Sequence, residues 1–251
     1  MERENIEKCA GLIALKKNVS VLTGAGISVE SGIPDFRSKG GIWDRYDPAF
    51  YAHIDNFIKN PAKIWDFFRE TDKTLGNKNP NPAHYALAEL EDMGIVKSVA
   101  TQNIDYLHQK AGSLKVYDLH GNSNFLSCIK CGKKFEKDDG SIEYNNSMPC
   151  CTCGYVLKPD IVMFGQMLPD APFRAAREDA SSSSVYMVIG TSAEVSPANS
   201  LPALAKSHGA DIIEINLRET QLTSSLNTIL LKGSCSAVLN ELLKEIKKIE
   251  G

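Results

Sequence analysis

The 251-residue sequence predicts an α/β fold, a mostly parallel sheet covered by helices on both faces, with a smaller domain attached. Three observations carry that expectation. Short apolar runs alternate with stretches of helical spacing. Polar clusters follow the runs: Gly24 to Ser28, Gln102 to Asp105, His120, Thr191 to Ser192 and Asn216. Five of the seven cysteines crowd into the 26 residues from Cys128 to Cys153. An open α/β sheet places its ligand crevice beyond the carboxyl ends of its strands, where these polar clusters would converge.

In chain order, Ile6, Cys9, Ala10 and Ile13 recur at helical spacing and predict an amphipathic helix over 4–17, ending before the first strand, Val19 to Leu22. Gly24, Ala25 and Gly26 then form a glycine-rich turn that lets a ligand approach the main chain. In an NAD dehydrogenase an acidic residue about 20 positions on would cap a second strand. Asp44 and Asp47 fall near that distance, but the glycine-rich, aromatic stretch from Ser38 to Tyr46 offers no strand, so the fingerprint fails. The aromatics of Ser38 to Tyr51 read either as a loop that closes over a ligand or as an aromatic subcore. After Pro61, Ile64 to Leu75 suits a buried helix, and a further helix runs from Pro82 to Met93 with Gly94 after it. Strands follow at Val96 to Thr101, Val116 to Leu119, Tyr186 to Ile189, Asp211 to Ile215 and Thr228 to Leu231, with helices over 170–181, 197–208 and 235–249.

Composition narrows the function. Hydrophobic residues make up 43% and charged residues 24%, ordinary for a globular protein, and the net charge of −3 gives no basic field for sequence-independent nucleic-acid binding. No run of about 18 apolar residues predicts a membrane span, and the charged start of the chain predicts an intracellular, cytoplasmic protein. An odd cysteine count without an export signal argues against a disulfide framework.

Cys128-x-x-Cys131 and Cys150-x-x-Cys153 have the paired spacing of a four-thiolate zinc site. Four thiolates fill the tetrahedral shell and leave no position for substrate, so one Zn²⁺ would be structural. Cys151 is left as a free thiol in this assignment. His120, at a strand end and followed by Gly121, suits a general base facing the crevice. Asn103 and Asp105 suit binding an amide or ordering a water, or capping the next helix. His53, His84, His108 and His208 read as structural. No Gly-x-Ser-x-Gly elbow supports serine hydrolysis.

Taken in order, Gly24-Ala25-Gly26-Ile27-Ser28 with Ser31 to Arg37, Thr101-Gln102-Asn103-Ile104-Asp105, Leu119-His120-Gly121, the two Cys-x-x-Cys pairs and Gly190-Thr191-Ser192 resemble the motifs of the sirtuins. The resemblance runs from about residue 5 to 245. It implies an NAD-dependent protein-lysine deacylase: a Rossmann-like NAD-binding domain from residues 1–37, 82–123 and 161–251, a helical insertion and cofactor loop over 38–81, and a zinc-binding module over 124–160. NAD is then a consumed co-substrate. By similarity, Gly24, Ala25, Asp35, Phe36 and Arg37 line its site. Gln102, Asn103 and Asp105 surround the ribose and nicotinamide, and Gly190, Thr191, Ser192, Asn216 and Cys235 hold the adenosine half. The acyl oxygen attacks the anomeric carbon as nicotinamide leaves, and His120, with Asn103 the second catalytic residue, deprotonates a ribose hydroxyl.

The resemblance also implies an acyl-lysine peptide between the strand-forming Val162, Phe164 and Gly165 on one side and Val195 on the other. The chain departs from the common family pattern at Met163 and Gln166. Succinyl-preferring sirtuins carry a tyrosine and, three residues on, an arginine at positions that match Phe68 and Thr71, so an apolar acyl pocket is expected, with acetyl-lysine the default substrate and longer acyl chains admitted. Protein mono-ADP-ribosylation and a non-catalytic NAD-binding module are the alternative readings. The expected partners are acyl-lysine proteins or peptides, without nucleic acid or membrane, and the default state is a monomer.

Overall fold

The computed structural model describes residues 2–34, 45–76, 78–145 and 147–251. The chain opens with α1 (Glu2–Lys16), β1 (Val19–Thr23) and a 3-10 helix (Ala25–Ser31). Next come α2 (Pro48–Tyr51), α3 (Ile54–Lys59), α4 (Pro61–Leu75), α5 (Pro82–Asp92), β2 (Val96–Thr101), α6 (Leu107–Lys110) and β3 (Val116–Asp118). A run of short strands follows: β4 (Gly121–Ser127), β5 (Lys134–Glu136), β6 (Glu143–Asn145), β7 (Met148–Cys150) and β8 (Lys158–Ile161). The chain closes with α7 (Asp170–Ser182), β9 (Val185–Ile189), α8 (Ser200–Ser207), β10 (Asp211–Asn216), α9 (Gln221–Ser225), β11 (Ile229–Lys232) and α10 (Cys235–Glu250).

Six strands form one parallel sheet in the order β11-β10-β9-β1-β2-β3. β1 lies at the centre. The chain proceeds outward from it through β2 and β3, then crosses to its other side for β9, so the switch point of the sheet falls at the carboxyl end of β1. Alternation along the strands feeds two separate cores. Val19, Val21, Met187, Ile189, Ile213 and Ile215 pack with α1, α5 and α10 on one face. Leu22, Tyr186, Val188 and Ile212 pack with α7 and α8 on the other.

Local chemistry fixes the helices around this sheet. Asn81 caps α5 by accepting from Ala83 N, and Pro82 opens it with the φ a first helical turn requires. Ser234 caps α10, whose Val238, Leu239, Leu242, Leu243 and Ile246 are all buried. The helices expected over 4–17, Pro82 to Met93, 170–181 and 235–249 fall within two residues of α1, α5, α7 and α10, whereas α4 starts three residues before the expected Ile64 and α8 three residues after the expected 197.

A third core joins the helical insertion to the short strands. Phe57, Ile64, Trp65, Phe67 and Phe68 pack against Leu126, Phe135, Leu157 and Met163, and Trp65 Nε1 donates to Leu157 O at 2.8 Å. Tyr46, Phe50 and Tyr51 join this core, as an aromatic subcore would, while residues 38–44 lie outside the described residues. The short strands leave the large sheet and return through a single neck, whereas the helical insertion joins it separately, between the 3-10 helix and α5. Gly121 pairs with Ile161, and Val162 N donates to His120 O at 2.8 Å. Gly121 is needed there: at φ +78 a Cβ would stand 2.0 Å from Asp160 O. No helix among the described residues is long and apolar enough to cross a membrane.

Candidate functional site

The turn after β1 owes its glycines first to backbone packing. Gly26 N donates to Gly190 O at 2.8 Å, and a Cβ on Gly26 would lie 2.8 Å from Gly190 Cα. A Cβ on Gly190, itself at φ +61, would meet Ile27 N at 2.5 Å. The two strand-end turns are therefore pressed together at the switch point, and Gly24 is boxed by Thr191 in the same way. Ala25 begins the 3-10 helix beside them.

Side chains from four strand ends converge on this turn. Asn103 is buried and its Nδ2 donates to Gly24 O at 3.1 Å and to Ser28 Oγ at 3.2 Å. Ser28 Oγ donates in turn to Asp105 Oδ2 at 2.6 Å, while Asp105 Oδ1 accepts Leu107 N. Burial pushes the Asp105 carboxyl above the usual carboxylate range, with Ser28 and the Leu107 amide opposing. Gln102 Nε2 reaches Thr191 Oγ1 at 3.0 Å, and Asn216 Nδ2 reaches Thr191 O at 3.0 Å. Two adjoining bonded sets, Asn103–Ser28–Asp105 and Gln102–Thr191–Asn216, thus make up the polar floor. The loop after Asn216 is pinned by Glu214, whose buried carboxylate accepts the hydroxyls of Thr220, Thr223 and Thr228. Ser192 is exposed, and Cys235 is buried at the start of α10, its thiol pushed up to about 12 by burial. Asp35, Phe36 and Arg37, expected along the NAD site, lie outside the described residues.

His120 stands at the neck between the two units. Its Nδ1 faces Gln102 O at 2.9 Å, and burial lowers its pKa below the ordinary value. Sequence reasoning omitted Ser28 from the site residues. It belongs to the same motif as Gly24 to Ile27, and the placement of a hydroxyl after a glycine turn was the available signal.

Val162 adjoins His120 through the neck bond, and Phe164 has its N–H engaged by Ala52 O at 2.7 Å while its carbonyl accepts Ile54 N. Phe164 is therefore held by the helical insertion and presents its side chain, 57% exposed. Gly165 follows at φ +85, and Val195 is 37% exposed. Phe68 and Thr71 line a cavity of about 440 Å³, measured with its open mouth, together with Trp65, Leu126, Ile104 and Ile161. Ile104 sits between Asn103 and Asp105 in the chain, and Ile161 pairs with Gly121, the residue after His120, so two of the lining residues adjoin site residues.

The cysteine assignment needs one correction. The four thiols that meet are those of Cys128, Cys131, Cys151 and Cys153, whose sulfurs all lie within 4.8 Å of one another. Cys150 is not among them: it ends β7, and its thiol turns to Met148 O at 3.6 Å. Neighbouring residues of an extended chain point to opposite sides, so only one of Cys150 and Cys151 can face the cluster. The turn over 151–154, closed by Gly154 N to Cys151 O at 2.8 Å, brings Cys151 and Cys153 to the same side despite one intervening residue. The closest sulfurs, Cys131 with Cys151 and Cys128 with Cys153, are 3.5 and 3.6 Å apart. Bonds of about 2.3 Å to a tetrahedral Zn²⁺ require sulfurs roughly 3.8 Å apart, so the set fits that ion.

A model of the Sir2 family matches residues 24–197. The NAD-dependent protein deacylase 2 of Pyrobaculum aerophilum is 43% identical over 240 residues, 95% of each chain. A Sir2 homologue in complex with NAD has a TM-score of 0.90 and 41% identity, with 98% of this chain and 95% of that one covered. A Sir2 protein bound to a myristoylated histone peptide has a TM-score of 0.81 and 38% identity, with 100% and 99% covered.

Proposed function

Because the chain belongs to the Sir2 family, the sirtuins, we infer that its strand-end crevice binds NAD and that the face beside His120 receives an acyl-lysine peptide. The protein is an NAD-dependent protein-lysine deacylase. Acyl-lysine, NAD and water become lysine, nicotinamide and O-acyl-ADP-ribose. NAD supplies the electrophilic anomeric carbon that accepts the acyl oxygen as nicotinamide leaves.

This chain's residues supply the rest. The switch-point turn from Gly24 to Ser28 presents main chain to the dinucleotide. Asn103, held to Gly24 O and Ser28, and Asp105, held by Ser28 and Leu107 N, orient the nicotinamide end; Thr191, Ser192, Asn216 and Cys235 form the adenosine end. His120 carries the reading. With Nδ1 turned to Gln102 O and the ring kept neutral by burial, its Nε2 is free to accept a ribose hydroxyl proton.

The peptide side rests on Val162, Phe164, Gly165 and Val195. The acyl chain enters the cavity lined by Phe68, Thr71, Ile104 and Ile161, whose apolar side chains favour acetyl and longer aliphatic chains over short dicarboxylic ones, the cations Arg69 and Lys137 of the same lining being paired with Asp66 and Asp72. Cys128, Cys131, Cys151 and Cys153 would hold one structural Zn²⁺, which fastens the turn behind β4 and β8 and takes no part in the reaction.

The test is mass spectrometry of an acetyl-lysine peptide incubated with the protein, with and without NAD, beside His120→Ala. Loss of acetyl only with NAD, formation of O-acetyl-ADP-ribose and failure of the variant are expected. An untouched peptide with ADP-ribose left on protein would replace deacylation with transfer.

A further inference from the structure

Two histidines that touch neither the acyl cavity nor the polar floor lie behind the crevice, His84 on α5 and His108 on α6. Their relative exposures are 0% and 1%, and their ring centroids are 4.9 Å apart at an interplanar angle of 60°. Each ring has one nitrogen engaged. His84 Nδ1 accepts Asn81 N–H at 3.3 Å, and His108 Nε2 lies 2.9 Å from Thr23 Oγ1. The remaining two nitrogens, His84 Nε2 and His108 Nδ1, are buried and have no hydrogen-bond partner among the described residues. Orphaned polar atoms are costly, and a pair of them on adjoining rings requires an explanation.

The fixed end of the chain of bonds supplies it. A backbone N–H can only donate, so His84 Nδ1 holds a lone pair and, in the neutral ring, Nε2 holds the proton. That N–H needs an acceptor, and His108 Nδ1 is the unpaired nitrogen on the adjoining ring. If His108 Nδ1 accepts, the proton of His108 resides on Nε2 and is donated to Thr23 Oγ1. Thr23 Oγ1 then donates to Thr101 Oγ1 at 2.8 Å, and Thr101 Oγ1 also accepts Asn103 N–H at 3.1 Å. Every bond in the series has a single consistent direction. The opposite tautomer of His108 would aim a second N–H at a water bridging the two rings and leave neither ring an acceptor for that water's own hydrogens.

We propose that His84 and His108 form a neutral imidazole pair, His84 Nε2–H serving His108 Nδ1 through one bridging water, that positions Asn103 by locking the ends of β1 and β2. Thr23 and Thr101 are paired across those strand ends, immediately before Gly24 and Gln102. The pair therefore ties the start of α5 to the two turns that meet the dinucleotide. Both rings stay uncharged in the fold because burial depresses their pKa values, that of His84 to about 4. His84 and His108 are positioning residues.

The test has two arms. In the first, long-range ¹H–¹⁵N correlation spectra of histidine-labelled wild-type protein at neutral pH read the tautomers without any assay of activity. Both rings should show a protonated Nε2 and an unprotonated Nδ1. An Nδ1-protonated His108, or a doubly protonated ring at either position, overturns the proposal. In the second, His108→Leu and His108→Gln are compared in steady-state deacylation. The leucine removes both bonds, and kcat should fall on the order of 10²-fold with a smaller change in KM for NAD, as for a misplaced reacting group. The glutamine keeps one donor and one acceptor and should recover most of that loss. A folded leucine variant with wild-type kcat, or a glutamine variant no better than leucine, overturns the role. If the leucine variant fails to fold, the wild-type tautomers decide.

Discussion

His120 Nδ1 lies 2.9 Å from the carbonyl oxygen of Gln102. A carbonyl only accepts, so Nδ1 carries the proton and Nε2 carries the lone pair, the form a general base needs. Burial lowers the ring's pKa, while the Gln102 contact partly offsets the shift. Turnover should rise with pH through a midpoint below the ordinary histidine value of about 6.5 and stay level above it. Removal of the ring in His120→Ala should reduce kcat by roughly 10²- to 10⁴-fold. A midpoint above 7 in kcat/KM would assign the base elsewhere.

The cysteine geometry separates two adjacent thiols. Cys151→Ser should lose the bound metal and unfold the strands around it, because a zinc site of this kind contributes directly to folding. Cys150→Ser should keep one zinc per chain and an unchanged melting temperature, since Cys150 only turns toward Met148 O. Elemental analysis of the two purified variants distinguishes them, and equal metal loss in both would restore Cys150 to the site.

Phe68 and Thr71 face the same cavity from α4. Wild-type protein should process acetyl-lysine faster than succinyl-lysine, because the two cationic side chains that line the cavity, Arg69 and Lys137, are already engaged, Arg69 by Asp66 and Ser147 O and Lys137 by Asp72. The double variant Phe68→Tyr with Thr71→Arg should raise the succinyl-to-acetyl ratio of kcat/KM by about tenfold or more, the scale of one charge-assisted bond. An unchanged ratio would place the distal end of the acyl chain outside this cavity.

The buried histidines also set an acid limit on stability. His84 has a folded pKa of about 4 against an unfolded value of about 6.5, so the unfolded chain binds more protons between those limits. Its contribution is present in full above pH 6.5 and is lost as pH falls toward 4. His108, lowered by burial and by His84, acts in the same sense, whereas the raised Asp105 and Asp118 carboxyls act in the opposite one. His84→Gln should therefore flatten the decline between pH 7 and 4.5 by roughly 2–3 kcal/mol in urea unfolding. Parallel declines in the variant and the wild type would count against a neutral buried ring.

Much of this could be read from the chain before any coordinates. β1, β9 and β10 announce themselves as apolar-rich runs because a doubly covered parallel sheet buries both sides of each strand, and β2 is marked by Val96, Val99 and Ala100 although Lys97 is exposed. His120, Asn103 and Asp105 were legible because each follows such a run. Spacing alone was insufficient at Cys150 and Cys151, where the choice of ligand depends on which side of an extended chain each residue faces. Gly26 and Gly190 look like a ligand cradle in sequence, yet their immediate constraint is each other, a contact between residues far apart in the chain. His84 is marked only as the partner of Asn81 in the capping box of α5 and His108 by no local motif, and only the meeting of α5 with α6 gives their rings a joint role.

The neck at Gly121 and Ile161 makes the short-strand segment a cassette on a single two-stranded plug. Within it only exposed stretches such as 138–141 can be lengthened or exchanged freely, because Leu126, Phe135 and Leu157 are seated against α4. A graft of this segment from a relative would have to bring the matching face of α4 with it, since the two are seated together and share the cavity wall.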